Sequence, residues 1–418
     1  MYWLDAYEDP FYNPGVVFIF GKTLAPATTS DTTTTVSASA ASAPSTSTSG
    51  YQSCCVVVKN IERRVFFVPR ATRRGTDLPV TIADVYEEVE SKVAPQFKIQ
   101  RFKSRTVTKK FTFQFEFPDV PWEGDYLEAR YPASSQQLPS DLSGDTFSRV
   151  LGASTSILEL FLLDTKLKGP SWLEVANTEP VPDADKSSFC ELEFAVKKLQ
   201  DVQVSTNKAS APPLTLLTLR LQSLPNARNH QNEIVAFAIV KNSRFFIDKP
   251  ARKSQIFDNY YTGITRSSDC ALPANFAQHL TSASGRRVNA SIAANERALL
   301  QLLISRISNA DPDIVVGHDI ADFDLGLLLQ RVRQYNLPIW SRLGRLKRQQ
   351  QQLPRQAGRR QMLLCGRVLC DAKFSANELV TKTRSYDLTE LSHHLLKKDR
   401  VEYDAESVRA AYSWALHS

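Results

Sequence analysis

One carboxylate of this sequence is placed where it could hold a metal ion. Asp324 lies in the stretch GHDIADFDLGLLL (317–329), between a run that predicts a strand and a run that predicts a helix. A nuclease that cleaves phosphodiesters with two divalent cations about 4 Å apart needs three or four carboxylates at one point, and Mg²⁺ prefers oxygen ligands. If this is a catalytic site, the elements around Asp324 must supply the other carboxylates.

Those elements predict an α/β sandwich around a mixed sheet over residues 206–418. Apolar and β-branched runs predict strands, and apolar residues three and four positions apart predict helices. The predicted strands are LTLLTLRLQ (214–222), EIVAFAIVK (233–241), RFFID (244–248) and DIVVGHD (313–319). The predicted helices are 296–308, with Asn295 as N-cap, and LGLLLQRVRQY (325–335), whose apolar stripe is Leu325, Leu328, Leu329 and Val332.

Residues 1–205 predict a mixed α+β region. A linker near 204–213 joins it to the α/β sandwich. The runs PGVVFIFGK and SCCVVVKN predict strands on either side of residues 23–50, a Ser/Thr/Ala-rich tract with too little apolar surface to fold. We therefore expect a disordered insertion within a sheet. Helices are predicted at IADVYEEVESKVA and before Gly169-Pro170, and KFTFQFEFP predicts a strand with alternating core aromatics, namely Phe111, Phe113, Phe115 and Phe117.

Composition is typical of a soluble globular protein of two or three domains, with 418 residues, 42% hydrophobic and 23% charged. The longest apolar runs are far shorter than the roughly 18 residues that cross a bilayer. The acidic, aromatic N-terminus MYWLDAYEDP is unlike a secretory or transit signal, which favours the cytosol or nucleus. Six cysteines without a C-x-x-C pair predict reduced structural thiols.

A block of positive charge interrupts this otherwise balanced composition. Between Asp324 and Asp371 there is no acidic residue, and ten residues are basic: Arg331, Arg333, Arg342, Arg345, Lys347, Arg348, Arg355, Arg359, Arg360 and Arg367. A stretch of one sign favours a polyanionic partner, and its Gln- and Arg-rich middle predicts a surface loop. The alternatives are a solvated basic loop without a binding partner and a nuclear-localisation signal.

Several longer stretches resemble a known family. YWLDAYEDP, SCCVVVKNIERRVFFVPR, NARNHQNEIVAFA, DPDIVVGHDIADFDLGLLLQR and SYDLTELS together are similar to the alpha branch of the family B DNA polymerases. The resemblance covers almost the whole chain outside 23–50. It implies a family B N-terminal domain over 1–205 and a ribonuclease-H-like 3′–5′ exonuclease-type domain over 206–418, truncated at its C-terminus.

The family's proofreading motifs are only partly kept. Its first-strand Asp-x-Glu would fall on TLRLQ, where Arg220 and Gln222 stand. In the second motif Asp319 replaces an Asn, and Phe323-Asp324 match; the third motif, Tyr-x-x-x-Asp, would lie beyond the last residue. Asp324 is then the sole candidate metal ligand. A single carboxylate next to a guanidinium cannot hold two divalent cations, so we expect no metal and no catalytic residue, with Asp324 capping the helix that follows.

The resemblance also implies a function. The family's Tyr-Gly-Asp-Thr-Asp and Ser-Leu-Tyr-Pro-Ser signatures do not occur, so the expectation is a fragment of a Mg²⁺-dependent polymerase that extends RNA–DNA primers in the nucleus. Its partners would be the DNA template, the primer and, through regions absent here, primase and an accessory subunit. This segment would be an inactive exonuclease fold that binds nucleic acid; an active exonuclease and a stand-alone binding module are the alternatives.

Within the basic block, GRLKR is the part that matches the family. Arg345, Lys347 and Arg348 are therefore the predicted contacts to nucleic acid, through phosphates and with strong salt dependence. His318, His393 and His394 lie far in sequence from any Cys or acidic pair at metal spacing, which predicts surface or packing roles.

Overall fold

The structure is a computed structural model, and its described residues cover most of the chain. They are 1–24, 50–112, 116–117, 120–207, 209–249, 257–269, 272, 276, 289–355, 357–380 and 383–414. Most of the predicted disordered insertion (25–49) lies outside them, as do Phe113, Phe115 and Cys270. Among the described helices, none combines the length and apolarity needed to cross a membrane.

Four sheets contain the named strands. In chain order these are β1 (Tyr2–Asp9), β2 (Asn13–Leu24), β3 (Tyr51–Val58), β4 (Glu62–Pro69), β5 (Lys103–Lys110), β6 (Glu123–Pro132), β7 (Phe147–Leu151), β8 (Leu173–Val175), β9 (Glu179–Pro180), β10 (Leu192–Val196), β11 (Val202–Val204), β12 (Leu214–Pro225), β13 (Asn232–Phe245), β14 (Asn259–Ile264), β15 (Ala290–Ile292), β16 (Ile314–Gly317) and β17 (Val368–Asp371).

Helices are fewer and mostly short. The α-helical segments are α1 (Ile82–Glu88), α2 (Ala94–Gln96), α3 (Ile157–Thr165), α4 (Glu296–Ala310), α5 (Leu325–Gln334), α6 (Ala372–Leu379), α7 (Leu388–Leu391) and α8 (Ala405–Trp414). Asn295 caps α4 as predicted, since its side chain accepts a hydrogen bond from the Ala298 N–H at 2.9 Å.

The first half of the chain forms three of the sheets. Their orders are β1-β2-β3-β10-β9, β5-β6-β4-β7 and β11-β8. Leu24 pairs with Tyr51 across β2 and β3, so the Ser/Thr-rich tract joins two neighbouring antiparallel strands, as predicted from its flanks. The predicted aromatic strand is wrong at Phe111 and Phe117, because the strand of this region ends at Lys110 and the two rings instead lie 6.0 Å apart beyond it.

The second half forms one mixed six-stranded sheet in the order β15-β14-β13-β12-β16-β17. The predicted strands at 214–222, 233–241 and 313–319 correspond to β12, β13 and β16. RFFID is not a separate strand: Phe245 ends β13, and the third strand is β14, which the sequence analysis missed. Leu217, Leu219 and Leu221 of β12 pack with apolar residues of α4 and α5 in one buried core, which fixes both helices on the sheet.

Candidate functional site

Parallel pairing of β16 and β17 brings three carboxylates to one edge of the six-stranded sheet. Gly317 at the end of β16 lies opposite Asp371 at the end of β17. The chain leaves β16 through Asp319, whose φ of 59° is in the left-handed region that Asp tolerates better than most residues. A π-helical turn, Ile320–Asp324, then continues directly into α5. We call Asp319, Asp324 and Asp371 the acidic cluster.

Asp324 is the buried member of the acidic cluster. It is 1% exposed, and neither carboxylate oxygen accepts a hydrogen bond of normal geometry. Burial raises the pKa of Asp324 to about 7, with the Asp319 and Asp371 carboxylates adding to the rise. The Arg220 guanidinium is the main opposing influence, and the Leu221 backbone N–H, although outside normal hydrogen-bond geometry, also lowers the pKa. Desolvation disfavours the charged carboxylate, so this group is partly protonated at neutral pH.

The first strand of this sheet carries the positive charge that acts on Asp324. Along β12, Leu219 and Leu221 are buried while Arg220 is exposed and Gln222 is half-buried, so the period-2 alternation places Arg220 and Gln222 on the same face. These are the positions at which the resemblance would place two metal-binding carboxylates. An Arg and a neutral amide stand there instead.

The other two carboxylates of the acidic cluster are already engaged. Asp371 accepts three backbone hydrogen bonds of 3.0 Å, from Asp319, Ala321 and Lys373. The carboxylate of Asp319 lies 3.1 Å from the Lys373 ammonium. With a guanidinium and an ammonium beside the cluster, the residues present do not fit a pair of divalent cations. Across the described ranges, no group of three or more His, Cys, Asp or Glu has an arrangement that could hold a metal ion.

The expectation that Asp324 caps α5 is wrong. Its backbone is helical, with φ −65° and ψ −45°, and its side chain makes no capping hydrogen bond, because the preceding π-helical turn moves the helical start back to Ile320. Asp371 is a cap instead: its side chain accepts from the Lys373 N–H at the start of α6. An Asp between the strand-like VLC and the helix-like AKFSANEL is an N-cap signal, so the sequence could have indicated this residue.

Two of the three predicted nucleic-acid contacts are buried structural residues. Arg345 is 0% exposed and pairs with Asp311 at 3.0 Å and Asp313 at 2.8 Å. Arg348 is also buried; it donates to the Met362 carbonyl, and its guanidinium lies 4.7 Å from the centre of the Trp340 ring. The prediction that these side chains contact nucleic acid is wrong, because protein partners occupy them. Lys347 between them is exposed, and its role stays a prediction.

Arg345 belongs to a largely buried group of charges that joins the two halves of the chain, in which the Asp311 side chain is 31% exposed. Asp313 also receives the Lys22 ammonium of β2 at 2.8 Å, and Arg367 pairs with Asp311 at 2.7 Å. The Arg345 guanidinium is the strongest of the influences that hold the pKa of Asp311 well below its usual range against burial, and Arg367 adds to it. We call Lys22, Asp311, Asp313, Arg345 and Arg367 the junction cluster. Its members outside the basic block, Lys22, Asp311 and Asp313, were not predicted from the sequence.

Other basic residues of the block are also paired with acids from outside it. The Nε–H of Arg331 donates to a carboxylate oxygen of Glu296 at 2.7 Å, and Arg360 forms an ion pair with Asp322. The one-sign block in the sequence is therefore partly neutralised in space. The description of the Gln- and Arg-rich stretch 341–360 as a simple surface loop is wrong, since its Leu343, Leu346 and Leu353 side chains are buried in core clusters.

Of the three histidines named in the sequence analysis, His318 and His393 have polar partners within the described residues, and the role of His394 stays a prediction. His318 Nε2 lies 2.7 Å from the Tyr386 carbonyl oxygen, and His393 Nδ1 lies 3.1 Å from an Asp399 carboxylate oxygen. The five cysteines within the described residues are free, and burial raises the pKa of the Cys54 and Cys190 thiols to about 12. Such thiols are poor nucleophiles and poor metal ligands.

Comparison with known proteins decides the family. Residues 148–391 match the model described as "DNA polymerase family B, exonuclease domain". The chain belongs to DNA polymerase family B. The resemblance read from the sequence is therefore confirmed, as is the fold class of a ribonuclease-H-like exonuclease-type α/β domain preceded by α+β structure. The match begins inside the predicted N-terminal domain, so the boundary at residue 205 stays a prediction.

Individual members of the family show which polymerases this chain is most similar to among those compared. It is 41% identical over its whole length to a protein named DNA polymerase alpha catalytic subunit from Xenopus laevis, and 39% identical over 99% of its length to the protein of the same name from Mus musculus. The chain spans about 27% of the length of each. A family B DNA polymerase from Pyrobaculum calidifontis shares the fold with a TM-score of 0.58 at 12% identity, over 99% of this chain and 42% of that one.

Proposed function

We propose that this family B chain is part of a DNA polymerase alpha catalytic subunit, in which its exonuclease-like domain is a nucleic-acid-binding scaffold that does not hydrolyse DNA. The observation that carries the proposal is the pocket around Asp324. Arg220 and Gln222 occupy the two first-strand positions at which the resemblance would place metal-binding carboxylates. Asp319 and Asp371 are already bonded to other groups of the protein. The names of the similar proteins support the polymerase assignment.

The wider setting follows from the same proposal. The parent protein would extend RNA–DNA primers on a DNA template in the nucleus, with Mg²⁺ held by parts of the polymerase outside this chain. Primase and an accessory subunit would bind through those other parts. Within this segment, the remaining exposed basic residues would contact phosphates and give salt-dependent, sequence-independent affinity.

Hydrolysis is tested with the purified 418-residue chain and 5′-labelled single-stranded DNA, with Mg²⁺ or Mn²⁺. We expect no shortening of the DNA above a protein-free control, and the same result for Asp324→Ala. Metal-dependent digestion that Asp324→Ala abolishes would instead support the alternative of an active 3′–5′ exonuclease, which the retained Phe323-Asp324 pair favours.

Binding is tested by fluorescence anisotropy with a labelled primer–template at several salt concentrations. We expect the logarithm of the association constant to fall linearly with the logarithm of salt concentration, because bound phosphates release counterions. Affinity that is unmeasurable at low salt would contradict the scaffold proposal, whatever the outcome of the hydrolysis test.

A further inference from the structure

An arginine-rich loop follows the end of β4 in the first half of the chain. Its sequence is RATRRGTDLPV (70–80), and we call it the arginine loop. Thr72 and Pro79 form an antiparallel bridge across it. The side chains of residues 71–79 are all exposed, so the arginine loop is a small hairpin whose tip is accessible from solvent.

A tight turn at the tip of the arginine loop presents one hydroxyl group. The backbone N–H and the hydroxyl of Thr76 both donate to the Arg73 carbonyl, at 3.0 and 3.1 Å. Gly75 has a φ of 77°, in the left-handed region that favours glycine, and a Cβ added there would meet no atom of the described residues within 4 Å. The space beside the tip is therefore open, and the segment can extend once the two hydrogen bonds of this turn open.

The residues before Thr76 carry a charge pattern of the kind that protein kinases select. Arg73 and Arg74 stand three and two positions before it, and no other Ser or Thr of the sequence has arginine at both places. A kinase that selects basic substrates pairs such arginines with its own carboxylates, and its choice of acceptor depends on this pattern. The charge pattern and the exposed hydroxyl together indicate a phosphate acceptor.

A concave surface beside Thr76 is suited to hold the phosphate after transfer. Residues 69–77 and Ser148 of β7 line a cavity of about 560 Å³. Its charged lining residues are Arg70, Arg73, Arg74 and Asp77, so three guanidinium groups face one carboxylate. A phosphate on threonine carries a charge of about −1.5 to −2 at pH 7 and three strong acceptor oxygens. The cavity is therefore complementary to it in charge.

The arginines of this cavity are only weakly engaged in the unmodified chain. Arg73 pairs with Asp84 at 3.4 Å, and these side chains are 46% and 31% exposed, so solvent weakens the pair. The Arg70 Nε–H donates to the Gly144 carbonyl at 3.1 Å. The Arg74 guanidinium has no ion pair or hydrogen bond to any residue that the structure describes. A phosphate can thus bind these groups without displacing a buried ion pair.

We propose that Thr76 is a phosphorylation site for a kinase that selects basic substrates, and that its phosphate then binds the arginines of the cavity. In this step the Thr76 Oγ1 attacks the γ-phosphorus of ATP, the bond from that phosphorus to the ADP oxygen breaks, and the hydroxyl proton passes to the catalytic carboxylate of the kinase. Charge-assisted bonds from the guanidinium groups then order the arginine loop. The inference goes beyond the proposed function, because it assigns a modification to the first half of the chain.

Phosphorylation is tested on the purified 418-residue chain with ATP and the catalytic subunit of cyclic-AMP-dependent protein kinase, which selects basic substrates. Peptide mapping by mass spectrometry should place a phosphate on Thr76. Arg73→Gln/Arg74→Gln should lower the initial rate at Thr76 by about 10-fold or more, because the charge-assisted bonds to the kinase are lost. Arg101→Gln, at another exposed position, is the matched control and should leave this rate unchanged.

A synthetic peptide of residues 66–82 separates access from sequence, because it carries the same charge pattern without the folded hairpin. The folded chain should be phosphorylated within about 10-fold of the peptide rate, since opening two hydrogen bonds at an exposed tip costs little. Phosphorylation of the peptide but not of the chain would overturn the proposal. A rate at Thr76 that is the same in the wild-type chain and in Arg73→Gln/Arg74→Gln would overturn it too.

Binding of the phosphate in the cavity is tested by ³¹P NMR of the phosphorylated chain as pH is varied. Guanidinium groups favour the doubly charged phosphate, so its titration midpoint should lie about one pH unit below that of the phosphorylated peptide. Arg70→Gln lies outside the kinase pattern and should move the midpoint part of the way back, whereas Arg101→Gln should not. Equal midpoints in the chain and the peptide would overturn the proposal. Thermal unfolding at the wild-type temperature checks that each variant is folded.

Discussion

Two groups of charged residues lie at the two ends of β16, and they differ in how burial is compensated. At the start of the strand, the junction cluster pairs Asp313 with Lys22 and Arg345, both at 2.8 Å. At its end, the acidic cluster leaves Asp324 buried without a hydrogen bond. Opposite charge within about 3 Å holds the pKa of Asp311 far below its usual range, whereas burial raises that of Asp324 to about 7.

The difference shows that burial alone does not predict the state of a carboxylate. A desolvated charge is tolerated where a fixed opposite charge and hydrogen bonds replace water, and otherwise the group tends to take a proton. The junction cluster has the first arrangement and ties β2 to the six-stranded sheet. The acidic cluster has the second arrangement, at the position where the resemblance would place metal ligands.

The largest expected effect comes from breaking the junction cluster at Arg345. Arg345→Leu removes the guanidinium and leaves the buried Asp313 and the partly buried Asp311 with less compensating charge. We expect the free energy of unfolding to fall by about 3–5 kcal/mol, measured by urea denaturation followed by tryptophan fluorescence. Lys347→Ala, two residues away and exposed, is the matched control and should change stability by less than about 0.5 kcal/mol. Equal effects of the two substitutions would show that the junction cluster is not the stabilising element.

An intermediate effect should appear at Asp324 as a dependence on pH. The folded-state pKa of about 7 lies above the ordinary value of 3.8, so the unfolded chain ionises first and wild-type stability falls as pH rises from about 4 to about 7. Asp324→Asn cannot ionise. Its free energy of unfolding relative to wild type should therefore increase by about 3 kcal/mol between pH 5 and pH 8, measured by urea denaturation at each pH.

The exposed Asp185 provides the control for this pH series. Asp185→Asn should follow the wild-type curve in parallel from pH 5 to pH 8. If Asp324→Asn is also parallel to wild type, Asp324 is ionised in the folded protein throughout, and the contrast between the two clusters would be lost.

The smallest expected effect is at the rim of the acidic cluster. Lys373 and Asp319 are 3.1 Å apart but both side chains are partly exposed, so solvent and salt screen their attraction. Lys373→Ala should lower the urea midpoint slightly at low salt and not at all in 1 M NaCl. A salt-independent loss as large as that of Arg345→Leu would show that this pair is a structural element like the junction cluster.

Sequence patterns predicted most of the second sheet and its helices. The alternation in LTLLTLRLQ, the N-cap Asn295 and the apolar stripe of 325–335 all correspond to observed elements, because they are local periodicities set by one buried face. The cap at Asp324 failed because a π-helical turn shifted the helical start by several residues. The strand β14 was missed, and RFFID was predicted as a separate strand although β13 ends within it, at Phe245.

The sequence by itself determined the family, the fold class and the replacement of two expected carboxylates by Arg220 and Gln222. Only the tertiary structure decided which arginines are free. Arg345 and Arg348 are buried while Arg355 and Arg359 remain exposed, although all four lie in one acid-free block. The reason is that their partners, Asp311 and Asp313 for Arg345 and Trp340 for Arg348, are brought to them by folding, and electrostatic pairing depends on distance in space and not on order along the chain.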